Sequence, residues 1–395
     1  MLPEIRMARL VDAIVSHRLK KLSCVAAAEV LGMSERHFRR LRDVYDADGP
    51  AGLIDARRSR ANGRRAPLDE IEWTLNEFKT RYFDFRAKHF HECVLGQAMA
   101  DGQPFKRSYS WTKSVLQSRG LVSKAKKRGR HLRKRERKPM AGMMLFQDGS
   151  SHQWLACGPK LDLIVTMDDA TSDILSIFLV EEEGTASSFR GLSETIARHG
   201  LFCSLYTDRG SHYFHTPEAG GKVDPNRLTQ VGRALQQLRI QHIPSYTPQG
   251  RGRMERVWDT LQKRLVPLLR LNGLTSIEAA NIWLRDVYMA GHNRAFGGKQ
   301  SEEGSAFIRF VGDLTNILCI EEERVVSKDN CVQYNRLSLQ IPPSRHRHHF
   351  VKTKVRVVEY WDGAMAVFHG PRQIARFQPD GSAVTEQEPA KKSAA

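Results

Sequence analysis

Cysteine is scarce in this sequence, and the few that occur are scattered. The 395 residues include six cysteines, and no two of them form a C-x-x-C pair. Each lies in an apolar or helical neighbourhood, so we expect reduced thiols in the core of a cytosolic protein. The segment HFHEC places His89, His91 and Cys93 at intervals of two residues. Such positions point to different faces of a helix, so no zinc site is expected there.

Long apolar runs and an acidic surplus are also missing. No uninterrupted apolar run reaches the roughly 18 residues that a membrane span needs, so no membrane association is expected. Lys and Arg number 62 against 44 Asp and Glu, a net charge of +18. A surplus of this size favours a polyanionic partner, and nucleic acid is the leading candidate.

Residues 1–66 have the pattern of a helix-turn-helix DNA-binding domain. Two helices are predicted on either side of Gly32, with Ala28 where they approach and Ser34 capping the second. Phe38 and Leu41 then face the core, which leaves a basic outer face for the major groove. The expected DNA contacts on it are Arg36, His37, Arg39, Arg40 and Arg42. An ordinary helical hairpin with a solvated basic face is the alternative.

Residues 67–123 form a second helical domain, followed by a basic linker at 124–140. The segment RSYSWTKSVLQSRGLV, ending near Gly120, fits either a second recognition helix or a structural hairpin. In KAKKRGRHLRKRERK, residues 124–138, ten of fifteen residues are Lys or Arg, which predicts a disordered segment. We expect phosphate contacts from Lys124, Lys126, Lys127, Arg128 and Arg130.

Residues 141–300 alternate between strand and helix patterns. Strands are predicted at 143–147, 162–169, 174–180, 204–208 and 239–244, and helices at 185–200, 231–238 and 251–272. Three adjacent strands favour an antiparallel meander, and the helix-separated strands favour parallel additions. This is the order of an RNase H-like fold. Residues 315–380 predict a small antiparallel barrel of about five strands, and 381–395 a disordered tail.

Three acids occupy special places in this α/β block. Asp148 follows the first predicted strand in FQDGSSHQW, and Asp208 ends the fourth in YTDRGSHYF. Glu255 lies in the first turn of the last long helix, in TPQGRGRMER. The first and fourth strands are neighbours in this fold order, so the three carboxylates can meet. Carboxylates suit Mg²⁺, and two such ions can serve phosphodiester cleavage or strand transfer.

Other acids have simpler interpretations. Asp168 and Asp169 in MDDATS fit turn chemistry. Residues 181–183, three consecutive glutamates, are expected to be a solvated charge run. Asp259 shares the helix face of Glu255, four residues before it; a place near the metal ions is one alternative, and a pair with Lys263 is the one expected.

With these residues the chain resembles a DDE transposase with a retroviral-integrase-type catalytic core. It is most similar to the bacterial insertion-sequence transposases of the ISNCY group. The matching features are QDGSSHQW, MDDATS, YTDRGSHYF and PQGRGRMER, which fits P-Q-x-x-G-x-x-E. One departure is the 46 residues, 209–254, between the second and third acids, more than integrases have. The surplus falls in the polar loop 215–230, and the zinc unit of integrases is absent from the N-terminus.

The resemblance implies a metal-binding and catalytic triad of Asp148, Asp208 and Glu255. It implies a polynucleotidyl transferase that uses two Mg²⁺ or Mn²⁺ ions to cut transposon ends and join them to target DNA. Basic residues around the third acid are expected to lie along DNA, together with Gln249: Arg251, Arg253 and Arg256. A dimer or tetramer on DNA is expected, in the bacterial cytoplasm and associated with the nucleoid.

Two other functions remain open. A non-catalytic DNA-binding regulator descended from a transposase would keep the basic helices and lose the acids, all three of which are present. A metal nuclease acting on RNA–DNA hybrids would not need the paired helical units of the first 140 residues.

Overall fold

The structure is a computed structural model that describes residues 3–53, 66–124, 136–218, 221–246, 248–343 and 347–384. The chain divides into two compact units, Met1–Trp73 and Thr74–Ala395. In the described part of the chain no helix is long and apolar enough to cross a membrane.

The first unit is a bundle of three helices. These are α1 (Pro3–Arg18), α2 (Cys24–Val30) and α3 (Glu35–Gly52). The left-handed backbone of Gly32, at φ +65°, lies just beyond the end of α2, and Ser34 Oγ accepts a hydrogen bond of 3.3 Å from the N–H of His37. Ala28 and Phe38 are buried in the bundle core. The two predicted helices, their glycine turn and their serine cap are therefore present.

Three further helices follow before the sheet. They are α4 (Leu68–Thr80), α5 (Ala87–Val94) and α6 (Tyr109–Ser118). Phe78 and Tyr82 pack edge-on against Phe90, with ring centroids 5.1 and 5.4 Å apart. Ser108 caps α6 by accepting a hydrogen bond from the N–H of Trp111. Gly120, at φ +70°, follows the end of this helix.

A five-stranded mixed sheet forms the centre of the second unit. Its strands are β1 (Leu145–His152), β2 (Leu161–Asp168), β3 (Ile174–Val180), β4 (Ser204–Thr207) and β5 (Gln241–Pro244). The spatial order is β3-β2-β1-β4-β5. β1, β2 and β3 form an antiparallel meander, and β4 and β5 add parallel to β1. The predicted strand order and directions are confirmed.

The two faces of this sheet are covered by different helices. Helices α7 (Thr185–His199) and α8 (Gln230–Gln237) cover one face, where Leu145 and Leu205 join their core. The other face carries α9 (Pro248–Leu271) and a continuous stretch made of α10 (Ile277–Trp283), a π-helical turn (Leu284–Tyr288) and α11 (Met289–Phe296). Phe146, the neighbour of Leu145, joins this second core. Successive residues of β1 thus serve opposite faces, as the pleat requires.

The prediction that β1 ends at Asp148 was wrong. β1 runs to His152, and Asp148, Gly149 and Ser150 remain paired with Val165 and its neighbours on β2. The antiparallel partner therefore keeps this Gly-Ser segment extended, although its residues favour turns. On the other side of β1 the parallel pairing with β4 stops at Phe146↔Tyr206. Asp148 lies where β1 loses that neighbour, not where the strand itself ends.

The C-terminal strands form open sheets, and the predicted barrel is not confirmed. β6 (Ile320–Val325), β9 (Lys354–Glu359), β10 (Met365–His369) and β11 (Arg372–Phe377) make a four-stranded sheet in the order β11-β10-β9-β6. β7 (Cys331–Tyr334) and β8 (Leu337–Gln340) make a separate hairpin. Among the described residues β6 and β11 are not paired with each other. Alternating residues predict strands, but barrel closure depends on tilt and register between distant strands.

The cysteines are all free in the structure. Cys319 and Cys331 are buried, as expected, but Cys157 and Cys203 are exposed, so the prediction of core thiols was wrong for these two.

Candidate active site

Two of the predicted acids follow the last paired residues of neighbouring parallel strands. The last ladder pair of β1 and β4 is Phe146↔Tyr206, whose rings contact each other at 5.3 Å between centroids. Asp148 and Asp208 each follow this pair by two residues. Asp148 is still in β1 and shares the face of Phe146, which α9 covers, whereas Asp208 lies one residue beyond the end of β4. Asp148 is buried, with 6% of its surface exposed.

Helix α9 lies over Asp148 and contacts it directly. Trp258 Nε1 donates a 2.9 Å hydrogen bond to Asp148 Oδ2, and one turn later Gln262 Nε2 donates to Ser150 Oγ at 3.3 Å. Leu261 and Leu265 on the same helix are fully buried against the sheet. The helical spacing of these apolar residues thus turns one face of α9 towards β1.

Glu255 lies one turn before Trp258 on this helix, and its side chain is exposed. Residues three apart are neighbours on a helix, so Glu255 and the indole that binds Asp148 share a side of α9. Within the described ranges no group of three or more His, Cys, Asp or Glu side chains is arranged to hold a metal ion. The structure thus places Asp148 on β1, Asp208 just beyond β4 and Glu255 on the helix that contacts Asp148, without closing a three-carboxylate cluster.

Asp168 fits its turn interpretation, but the side chain of Asp169 binds residues that are distant in the chain. Asp168 accepts hydrogen bonds from the N–H groups of Gly142 (2.8 Å), Ala170 and Thr171 (both 2.9 Å). Asp169 accepts one of 2.7 Å from the N–H of Lys138 and forms a buried ion pair with Arg253. This ion pair fixes the start of α9 two residues before Glu255. The sequence gives no sign of it, because the partners lie 84 positions apart.

Glu183 corrects the prediction of a solvated charge run. Glu181 and Glu182 are exposed, but Glu183 is half-buried. Its carboxylate lies against the backbone of Gly149, the residue after Asp148, where an added Cβ would overlap it. Its Oε1 is 3.6 Å from His212 Nε2, a distance typical of an ion pair when the imidazole is protonated.

A buried polar network lies beneath the two aspartates. The hydroxyl of Tyr213 donates to Gln147 Oε1 at 3.1 Å, and Gln147 Nε2 donates to Thr166 Oγ1 and to the Ser188 carbonyl. Burial, with the charges of Glu183, Asp148 and Asp208, holds the pKa of Tyr213 well above its usual value. The phenol therefore stays protonated and donates its hydrogen bond. Sequence analysis missed this network because it assigned no role to Gln147 or Tyr213, although both lie in the motifs QDGSSHQW and YTDRGSHYF.

The expected DNA contacts of α3 lie on its surface. Arg36, His37, Arg39 and Arg40 are exposed, and Arg42 is partly so. Of the contacts expected in the linker, Lys124 is within the described residues; Lys126, Lys127, Arg128 and Arg130 are outside them, as are the side chains of Gln249 and Arg251. On α9 Arg256 is exposed, whereas Arg253 is turned inward to Asp169.

Comparison with known proteins identifies relatives for most of the chain. A family model described as a winged helix-turn helix matches residues 10–70. The protein named "Putative transposase y4bF" of Sinorhizobium fredii is 27% identical over 88% of this chain and 75% of its own length. "Transposase for insertion sequence IS1202" of Streptococcus pneumoniae is 26% identical over 88% of this chain and 80% of its own. The chain is similar to transposases along most of its length, which confirms the predicted resemblance.

Solved structures also match, at low similarity. A chain of the simian T-cell lymphotropic virus intasome, in complex with a PP2A regulatory subunit, matches 71% of this chain and 93% of its own, with 14% identity and a TM-score of 0.35. The HTLV-2 integrase catalytic core domain, in complex with magnesium, matches 37% of this chain and 86% of its own, with 14% identity and a TM-score of 0.28.

Proposed function

We propose that the protein is a transposase that binds the ends of an insertion sequence, cuts DNA there and joins the cut ends to target DNA. The observation that carries this proposal is the hydrogen bond to Asp148 from Trp258, on the helix that bears Glu255, together with the parallel pairing of β1 and β4 that ends two residues before Asp148 and Asp208. A DDE-type polynucleotidyl transferase needs carboxylates brought together from distant parts of the chain. The relatives named as transposases support the same class of reaction.

The donor atoms of this site fit divalent magnesium or manganese. Asp148, Asp208 and Glu255 offer carboxylate oxygens, the hard ligands that such ions take. When bound, two ions activate the attacking oxygen and stabilise the leaving one in a phosphodiester displacement. The exposed side chain of Glu255 has to approach the two aspartates for all three acids to share the site.

The chain's own residues orient the acids. Trp258 Nε1 holds one oxygen of the Asp148 carboxylate, and the Tyr213–Gln147 hydrogen bond ties the segment after Asp208 to β1. Only 6% of the surface of Asp148 is exposed, so little water reaches it. Carboxylates held in this way lose little freedom when they bind an ion, and preorganisation of this kind favours catalysis.

DNA is the partner proposed for the basic surfaces. The winged helix-turn-helix match includes α3, whose exposed arginines suit phosphate and base contacts in the major groove. The net charge of +18 favours binding of a polyanion in general. Transposition holds two DNA ends together, so the proposed active species is a dimer or tetramer on DNA.

A plasmid assay tests this function. A supercoiled plasmid carrying the ends of the encoding element is incubated with purified protein and Mg²⁺, Mn²⁺ or EDTA, and nicking and joining are measured. We expect metal-dependent nicking at the ends, lost to background in Asp148→Asn, Asp208→Asn and Glu255→Gln, with end binding retained. Asp259→Asn, which removes an exposed acid one turn beyond Glu255, is the matched control and should remain active.

Two other results of this assay would change the proposal. Retained cleavage in one of the three variants would remove that residue from the proposed triad. Tight end binding by the wild-type protein, without cleavage in either metal, would reject the enzyme in favour of a DNA-binding regulator.

A further inference from the structure

Glu183 connects the loop before α7 to the segment that carries Asp208. From its contacts we infer that Glu183 is a positioning residue: it holds His212, and through His212 the turn of Asp208, and so controls the rate of DNA cleavage without contacting DNA. This inference rests on the proposed function and adds a residue to its site. Nothing in the sequence distinguished Glu183 from the two exposed glutamates before it.

The backbone of Glu183 is fixed by β2. Its N–H donates a 2.7 Å hydrogen bond to Asp162 Oδ2, and Asp162 is paired with Ser151 of β1 in the sheet. With the backbone held there, the carboxylate reaches over β1 to the surface of Gly149. The absence of a side chain at Gly149 makes this approach possible. The position is therefore built by two strands rather than by the loop alone.

The Glu183 carboxylate lies close to a buried ring nitrogen of His212. His212 Nε2 has no hydrogen-bond partner in the described part of the chain, and Glu183 Oε1 lies 3.6 Å from it. Buried polar atoms are nearly always satisfied, so a donor left next to a carboxylate calls for a reason. Contacts at catalytic sites are often long before substrate binds and shorten in the complex. A small movement of the Asp208 turn would convert this contact into a hydrogen bond.

The turn from Asp208 to Tyr213 links the position of the His212 ring to that of the Asp208 carboxylate. The N–H of Gly210 donates a 2.9 Å hydrogen bond to Asp208 Oδ1. A Cβ added to Gly210 would lie 3.1 Å from that oxygen and 3.0 Å from His212 Cε1, so the carboxylate and the imidazole flank the same side of the turn. His212 also contacts Tyr213, with ring centroids 4.0 Å apart. A displaced imidazole would therefore disturb both the Asp208 turn and the anchor on β1.

The first test replaces Glu183 and measures cleavage, end binding and the metal requirement separately. Residues that orient metal ligands typically change activity or metal affinity about 10- to 100-fold. We expect Glu183→Ala to lower the cleavage rate by about that factor and raise the Mg²⁺ concentration for half-maximal rate. The dissociation constant for end DNA and the melting temperature should not change. Glu182→Ala, which removes the exposed neighbouring charge, should match the wild type in cleavage rate, Mg²⁺ requirement, DNA dissociation constant and melting temperature.

Glu183→Gln separates positioning from a direct role in metal binding. Its amide oxygen can still accept a hydrogen bond from His212, so we expect it to restore most of the cleavage that Glu183→Ala loses. Cleavage by Glu183→Ala at the wild-type rate would overturn the inference. Cleavage by Glu183→Gln as low as that of Glu183→Ala would overturn it too, since only the charge would then matter. If the wild-type protein binds ends but does not cleave, the proposed function has failed instead.

A second variant displaces the carboxylate without removing it. Gly149→Ala puts a methyl group where the Glu183 carboxylate lies, so it should lower cleavage much as Glu183→Ala does. In the Glu183→Ala background the space is open, and the same substitution should add no further loss. If the two losses instead multiply, Gly149→Ala acts through Asp148 itself and the inference is wrong.

Discussion

Helices α3 and α9 carry four and five arginines and use them differently. On α3 the arginines pair locally, Arg39 with Glu35 and Arg42 with the adjacent Asp43. On α9 the pairs reach other parts of the fold: Arg253 to Asp169, Arg264 to Glu92 and Arg270 to Asp84. The number of arginines on a helix therefore does not reveal whether they bind a polyanion or hold the fold together.

Burial separates the Arg253 pair most clearly from the pairs of α3. Asp169 is fully buried and its arginine is 10% exposed, whereas Arg39 and Glu35 on α3 are 59% and 38% exposed. Breaking a buried pair leaves a charge without water, which is costly, but an exposed pair contributes little to stability. Substitutions on the two helices should accordingly separate into losses of stability and losses of DNA affinity.

The largest expected effect is that of Arg253→Ala. It leaves the buried carboxylate of Asp169 without this guanidinium, and such truncations cost about 3–5 kcal/mol. The free energy of unfolding, from urea titration, should fall by that order. Arg256→Ala, which removes an exposed arginine one turn later on the same helix, is the matched control. A decrease for Arg253→Ala no larger than the control's would show that the start of α9 is held in another way.

Arg270→Ala should have the next largest effect on stability. Its Nε and Nη2 donate to the two oxygens of Asp84 at 2.8 and 2.7 Å, and Nη2 also donates to the Arg81 carbonyl. Because both partners are about a quarter exposed, we expect a loss near the lower limit for charged hydrogen bonds, about 1.5 kcal/mol. Arg285→Ala removes an exposed arginine that pairs with the adjacent Asp286, and it should leave the unfolding transition unchanged. Equal losses in the two variants would contradict the tethering role of Arg270.

On α3 the double substitution of Arg36 and Arg40 by alanine should leave stability unchanged and weaken DNA binding. Each lost phosphate contact removes about 0.9 from the slope of log affinity against log salt concentration. End-DNA dissociation constants at several salt concentrations measure this slope. Lys79→Ala removes an exposed charge on α4 and should keep the wild-type slope. If the α3 variant also keeps it, DNA is contacted elsewhere on the chain.

Most of the core topology could be predicted from the sequence, because it depends on local patterns. The apolar run at 174–180 coincides with β3, and the Thr start and Gly stop of 185–200 bracket α7. Predictions failed where a distant partner decides the outcome. β1 continues through Gly149 because β2 pairs with it there. Closure of the C-terminal strands into a barrel could not be predicted, because it is not a local property of the sequence.

The three acids of the candidate site are predicted from strand patterns and a helix motif, and their joint role stays a prediction. Their supporting residues were missed. Trp258 and Tyr213 act through hydrogen bonds to Asp148 and Gln147, which lie 110 and 66 positions away, and Glu183 follows two further glutamates in the sequence. Such contacts depend on the assembled fold, not on any periodicity.

The smallest effect should come from Lys263→Ala, which tests the comparison from within α9. Lys263 forms the predicted pair with Asp259, four residues before it, and the two side chains are 31% and 60% exposed. This pair is local, like those of α3, so its loss should lower the free energy of unfolding by less than about 0.5 kcal/mol. Urea titration of this variant and of Arg253→Ala compares the loss of an exposed ion pair with the loss of a buried one on the same helix. A loss as large as that of Arg253→Ala would mean that position on α9, rather than burial of the partner acid, determines what a charge contributes.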